Sequence, residues 1–259
     1  MPNFAMQMAR DAGRILVDRQ GRALQVSKKG DIDLVTESDL ASEKLIIERI
    51  RSYYPRHAIL AEESGASAGE NVAEGKSEWR WIIDPLDGTT NYAHGYPCYC
   101  VSIALERAGK IEIGVVYDPT RDEMFAAERG QGATLNDRRM RVSDVEELNS
   151  SMLCTGFPYN VRERENFARH FAAFTMRAQA VRRDGSAAID LAYVACGRFE
   201  GFWEDGLHPW DVAAGLLLIE ESGGMVTDFN SGPLSIYTPK VLASNGLIHE
   251  AMMRVLADS

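Results

Sequence analysis

Trp79-Arg80-Trp81-Ile82-Ile83-Asp84-Pro85-Leu86-Asp87-Gly88-Thr89-Thr90-Asn91 runs from an apolar, aromatic and β-branched segment straight into a polar turn. Residues 79–83 predict a buried strand. Residues 98–106, 111–118 and 123–128 repeat that texture downstream, with Ala108, Gly109 and Lys110 as a turn between two of them. Strands this closely spaced predict an antiparallel meander. Upstream, Phe4, Met8, Ala12, Ile15 and Leu16 share one face of a helix over 4–19. A polar stretch from Gln25 to Ser38 follows, then a helix over 39–54 that Pro55 ends. Residues 58–61 predict a short strand, and 64–78 an exposed loop.

Beyond residue 150 the rhythm alternates. Strands are expected at 152–156, 180–183, 198–203, 225–229 and 241–244, with helices at 162–176, 186–196, 211–222 and 247–257. That alternation predicts a second sheet with crossover helices. No Pro/Ser-rich linker separates the halves, so 1–149 and 150–259 are expected to form a single catalytic unit over 1–259. The fold class is α+β or α/β: an antiparallel sheet in the N-terminal half and a mixed sheet with helices in the C-terminal half.

The chain has 259 residues, 28 Lys plus Arg against 38 Asp plus Glu, a net charge of −10, and 45% hydrophobic residues. That is an ordinary globular balance. The acidity argues against passive binding to nucleic acid, which needs a basic surface. It leaves open an acidic site that meets phosphate through metal ions. Arg10, Asp11, Arg14, Asp18 and Arg19 interrupt every apolar stretch near the N-terminus, so neither a leader nor a membrane span is expected. Cys98, Cys100, Cys154 and Cys196 lie in apolar contexts without a CxxC, which reads as reduced thiols of a cytoplasmic protein.

The chemistry concentrates at residues 84–91. Asp84 and Asp87 lie three apart around Pro85, and the Leu86 carbonyl between them is a third oxygen. Hard divalent cations take oxygen sets of this kind. Gly88 lets the backbone approach a ligand, and the Gly88 and Thr89 amides can form an anion-binding nest. Asp, Pro, Gly and Asn are also plain turn formers. Yet five fixed positions recur by chance in a chain this long with odds on the order of 10⁻⁴, which disfavours a mere turn. Three further acidic sites read two ways. Asp39 completes a Thr36-x-x-Asp39 capping box. Glu62 and Glu63 end the strand 58–61, and otherwise read as solvated loop acids. Asp211, after Pro209-Trp210, reads as a helix cap. They gain weight together, because acids at strand ends and helix starts line the ligand edge of an open sheet.

These segments together resemble the inositol monophosphatase family, within the wider lithium-sensitive, magnesium-dependent phosphatase superfamily. Trp81 to Asn91 looks like the first family motif, and Trp210-Asp211-Val212-Ala213-Ala214-Gly215 like the second. Supporting segments follow in order: Asp33-Leu34-Val35-Thr36 with Asp39, Glu62-Glu63-Ser64, and Gly114-Val115-Val116-Tyr117-Asp118-Pro119. Arg182 to Ala188 and Gly201-Phe202-Trp203-Glu204 place the chain nearest the bacterial branch. The resemblance spans about residues 5–255.

What the resemblance implies is a five-layer αβαβα sandwich, a homodimer, Li⁺ sensitivity and Mg²⁺ as cofactor. Glu62, Asp84 and the Leu86 carbonyl would hold one ion. Asp84, Asp87 and Asp211 would hold a second, and Glu62 a weaker third through waters. Thr89 with Asp39 would orient the attacking water, and the Gly88 and Thr89 amides would grip the phosphate. Glu204, Asp211 and the Gly185-Ser186-Ala187 turn would contact the sugar. Lys28 would act through water, and Arg183 lines the region where substrate choice varies. Ala61 departs from the family's usual glycine before the two glutamates.

A phosphate monoester dianion repels hydroxide and hydrolyses very slowly unaided. Four carboxylates against two Mg²⁺ make a loaded site that attracts it. The expected reaction is therefore hydrolysis of a small sugar-alcohol or sugar phosphate, with inositol 1-phosphate first. Histidinol phosphate, fructose 1,6-bisphosphate and 3′-phosphoadenosine 5′-phosphate are the alternatives. A different class, an RNA- or transcription-associated binding protein, is motivated by Arg138, Arg139 and Arg141 and opposed by the net charge.

Overall fold

The computed structural model describes residues 1–21, 26–28, 34–71, 77–157, 164–232, 234–238 and 240–259. Two helices open the chain, α1 (Pro2–Arg19) and α2 (Glu37–Tyr53), with the short strands β1 (Val26–Lys28) and β2 (Leu34–Thr36) paired antiparallel between them. The first large sheet holds β3 (Ala58–Ala61), β4 (Gly65–Ser67), β5 (Trp79–Asp87), β6 (Cys100–Arg107), β7 (Lys110–Asp118), β8 (Glu123–Glu128), β9 (Gly132–Leu135) and β10 (Arg138–Arg139). Its order is β10-β9-β8-β7-β6-β5-β3-β4. The expected meander is there, with one difference: β3 pairs with β5 in parallel. The loop expected over 64–78 begins with β4, which folds back on β3. β9 and β10 were not expected. β9 is four residues long with only Ala133 fully buried, and β10 is two exposed residues, so neither carries the apolar alternation that marks a strand.

The second sheet has β11 (Met152–Thr155), β12 (Ala180–Arg182), β13 (Gly201–Glu204), β14 (Met225–Thr227) and β15 (Val241–Ser244), in the order β12-β11-β13-β15-β14. It is mixed, as expected: β11 is parallel to β12 and β13, and β15 is antiparallel to β13 and β14. β13 starts three residues later than expected. The Arg198 and Phe199 amides instead turn back to the Tyr193 carbonyl, at 2.9 and 3.2 Å. The remaining helices are α3 (Thr89–Ala93), α4 (Arg164–Thr175), α5 (Ala187–Ala195), α6 (Pro209–Glu221) and α7 (His249–Ala257).

Strand alternation assigns the layers. Trp81, Ile83, Val101, Ile103, Val115 and Tyr117 face one way and pack on Met8, Ala12 and Leu16 of α1 and Ile46 and Ile50 of α2. Ile82, Cys100, Ala104, Val116 and Phe125 face the other way, onto α5 and α6. Those two helices are apolar on nearly every side, as helices between two sheets must be. Cys154, Phe202, Val241 and Ala243 of the second sheet close on them from beyond. Leu153, Trp203 and Leu242 point outward under Phe174 of α4 and Met252 and Val255 of α7. The result is the five-layer αβαβα sandwich. Cys98 precedes β6 rather than sharing it with Cys100, though both are buried in the same core. All four cysteines are free thiols. Among the described residues, no helix is long and apolar enough to cross a membrane.

Candidate active site

The 84–87 segment is not a turn after a strand; it is the end of β5 itself. Pro85 has no N–H to give the ladder, and the register with β6 shifts between Asp84 and Asp87. The bulge places Asp84 (2% exposed) inside the molecule, where its Oδ1 accepts the Leu86 amide at 3.0 Å. Ser42 of α2 donates to the Pro85 carbonyl at 2.8 Å and pins the bulge from behind. Gly88 follows at φ +94°, and a Cβ there would lie 2.8 Å from the Cys98 carbonyl. The chain then enters α3, whose first amides have no partner within the helix.

Four other segments converge on this loop. Glu62 lies just past β3, its amide bonded to the Ile83 carbonyl at 3.1 Å. The buried Glu43 accepts the Glu63 amide at 2.9 Å and holds that turn, with Ala61 buried before it. Asp211 is not the cap of α6 but its third residue, accepting the His208 amide at 2.7 Å. Asp39 keeps its capping-box bonds to the Thr36 amide and hydroxyl on Oδ2, while Oδ1 accepts the Thr89 hydroxyl at 3.1 Å. The helix-cap and catalytic readings of Asp39 are thus compatible. Thr89 also lies 3.0 Å from the Leu86 carbonyl. Finally, the start of α5 clamps Asp87: the Ser186 hydroxyl and Ala188 amide donate to its Oδ2 at 2.6 and 2.7 Å. Ser186, expected among the sugar contacts, here serves the carboxylate.

The acids raise one another. Burial pushes Asp84 well above the ordinary carboxylate range, and Glu62, Asp87 and Asp211 push it further. Asp211 is raised likewise, by burial and then by Asp87. Asp87 rises to about 6 through burial, opposed by its bonds to Ser186 and Ala188. Asp39 rises to about 6 through burial, opposed by Thr36. Such a cluster stays charged only against cations. Among the described residues, no group of three or more His, Cys, Asp or Glu side chains is placed to hold a metal ion as it stands. Instead the carboxylates bond amides and hydroxyls, with Glu62 close enough to raise Asp84. An all-oxygen, multiply anionic donor set nonetheless has the chemistry of a Mg²⁺ site.

The opposite wall comes from the second sheet. Glu204 ends β13, 8% exposed, and burial followed by the charge of Asp87 raises it to about 8. Its carboxylate lies against Gly156, where a Cβ would come within 2.1 Å of Oε1. Arg183 lies over the Phe157 ring, 4.4 Å from its centroid. Lys28 lies on β1, and its side chain is outside the described residues, as is Asp33. Sequence reasoning missed the supports: Ser42, Glu43, Gly156 and Asn91. Only Asn91, inside the first motif, carried a signal.

A family model described as "Inositol monophosphatase family" matches residues 1–259. An "Inositol-1-monophosphatase" of Synechocystis sp. is 46% identical over 95% of this chain and 85% of its own length. The "Nus factor SuhB" of Escherichia coli is 43% identical over 100% of this chain and 96% of its own. The solved "extragenic suppressor protein suhB from Bartonella henselae" superposes with a TM-score of 0.93 at 44% identity, covering 98% of this chain and 97% of that one.

Proposed function

This chain belongs to the inositol monophosphatase family, and from that premise we propose a Mg²⁺-dependent phosphomonoesterase of small sugar-alcohol or sugar phosphates, inositol 1-phosphate foremost. Membership supports a phosphatase acting on a phosphorylated substrate. The observation that carries the rest is the electrostatically coupled set Glu62, Asp84, Asp87 and Asp211, with the Thr89–Asp39 pair beside it. Glu62, Asp84, the Leu86 carbonyl, Asp87 and Asp211 would hold two Mg²⁺, with a third near Glu62; bound there, the ions would neutralise the ester, acidify water and stabilise the leaving alkoxide.

The chain's own groups then do the following. Thr89 would accept the proton of the attacking water and pass its own to Asp39, whose Oδ1 already accepts the Thr89 hydroxyl at 3.1 Å. The Gly88 and Thr89 amides face the phosphate oxygens. Glu204, buried at the end of β13 with its carboxyl pushed up by burial and by Asp87, would bond neighbouring hydroxyls of the polyol. Thr89→Ala is expected to lower kcat roughly 10²- to 10³-fold with KM little changed, the loss typical of a positioned proton acceptor. Gly156→Ala forces the Glu204 carboxylate aside and is expected to raise KM for the polyol phosphate about tenfold, one lost hydrogen bond to a charged or acidic group. An unchanged KM would remove Glu204 from substrate binding.

The deciding experiment is phosphate release from inositol 1-phosphate, histidinol phosphate, fructose 1,6-bisphosphate and 3′-phosphoadenosine 5′-phosphate, with and without Mg²⁺ and with added Li⁺. Mg²⁺-dependent, Li⁺-inhibited release is expected, fastest from inositol 1-phosphate. A homodimer in the cytoplasm is the expected setting, and sedimentation tests the dimer.

A second reading, association with RNA or the transcription machinery, is favoured by one feature. Arg138, Arg139, Arg141 and Arg198 line a cavity of about 880 Å³ on an otherwise acidic protein. Arg198 is already paired with Glu123. A mobility shift with structured RNA at physiological salt tests it, and no shift retires it.

A further inference from the structure

One side chain of the first motif does no chemistry in this scheme, yet it joins the two walls of the site. Asn91, on α3, directs its amide nitrogen at three backbone carbonyls: Cys98 at 2.7 Å, Asp184 at 2.8 Å and Gly185 at 3.3 Å. The first lies on its own loop. The other two are more than ninety residues away, at the turn between β12 and α5. A single NH₂ group therefore spans from the carboxylate loop to the turn that carries Arg183 on one side and Ser186 on the other. Ser186 in turn donates to Asp87. Among the described residues, these are the side-chain bonds that tie the 84–91 loop to the 184–188 segment.

We propose that Asn91 is a positioning residue that sets the Asp184–Ala187 turn in register with the metal-facing loop, and so confers selectivity for a polyol over a featureless phosphate ester. The proposal rests on the phosphatase reading above. The two ties are not equivalent. Ser186 and Ala188 grip a carboxylate and hold the start of α5. Asn91 grips the backbone just before it, where the polyol is expected to lie. Losing the amide leaves Asp87 its two donors, but frees the turn to drift. A drift of about 1 Å in a positioning element costs on the order of 10²-fold for a substrate that depends on it. A substrate without hydroxyls to place has nothing to lose.

Asn91→Ala removes the donor, and Asn91→Asp keeps the shape while turning a carboxylate toward three carbonyl oxygens. Both are compared with the unaltered protein on inositol 1-phosphate and p-nitrophenyl phosphate at saturating Mg²⁺. Expected is a 10- to 100-fold fall in kcat/KM for inositol 1-phosphate, carried by KM, larger for Asp than Ala, with p-nitrophenyl phosphate within about threefold. Hydrogen exchange of the 184–188 amides is expected to quicken in both variants, with the sheets unchanged. Exchange unchanged in that turn overturns the proposal whatever the activity. So does an equal loss on both substrates, which marks a merely structural role. Absence of turnover by the unaltered protein would instead defeat the phosphatase reading, and the exchange result would still decide the contact.

Discussion

Asp84→Asn is expected to abolish phosphate release while leaving the fold intact. The side chain is 2% exposed, and its Oδ1 accepts the Leu86 amide at 3.0 Å. Asparagine keeps that acceptor, so the β5 bulge survives. What disappears is the anionic oxygen that both ions would share. Removing a mere supporting residue of a metal site costs about 10- to 100-fold, so loss of a shared ligand is expected to cost roughly 10³-fold or more. The substitution also removes a carboxyl whose ionisation burial and the charges of Glu62, Asp87 and Asp211 oppose, so the metal-free variant is expected to melt no lower than the unaltered protein at neutral pH. Phosphate release at saturating Mg²⁺, read beside circular dichroism and Tm, checks both halves. A folded, active variant would take Asp84 out of the metal site.

Mg²⁺ is expected to stabilise the protein strongly at pH 8 and weakly at pH 5. The reason is the crowding of carboxyls. Folding raises Asp39 and Asp87 from 3.8 to about 6, and Glu204 from 4.5 to about 8. A carboxyl raised by folding favours the folded state fully below its unfolded pKa. That advantage is lost as pH climbs through the folded value. The metal-free protein is therefore expected to lose stability from about pH 4 upward, most steeply to about pH 6, where the Asp39 and Asp87 contributions are spent, then more gently to about pH 8 through Glu204. Divalent cations take over the neutralising role of the protons. At 100 times the dissociation constant, binding contributes about 2.7 kcal/mol, which is roughly 5–10 °C in Tm for a chain of this length. At pH 5 protons compete for the oxygens of the raised ligands Asp84, Asp87 and Asp211, and the gain shrinks. Thermal melts with EDTA and with Mg²⁺ across pH 5 to 8.5 give the comparison. A gain independent of pH would separate the metal from these carboxyls.

Much of the architecture was legible because it is written locally. The helical face of Phe4, Met8 and Ala12, the strand texture from Trp79 to Glu128, and the alternation after residue 150 each depend on neighbours a few residues away. So did the first motif, where an oxygen-rich string follows a buried strand. What stayed hidden was decided by contacts between distant segments. The parallel pairing of β3 with β5 has no local signature, and the short strands β9 and β10 hold by pairing rather than by pattern. Nothing near Gly156 announces that a Glu204 carboxylate must fit against it. Nothing near Ser186 announces an Asp87 acceptor ninety-nine residues earlier. Periodicity and turn chemistry record the conformation of a few consecutive residues, so the sequence by itself determined the elements and the acids they present. The charge state of those acids, and the supports that aim them, depend on burial and on partners brought together only when the two sheets close on α5 and α6. Those the tertiary structure decided.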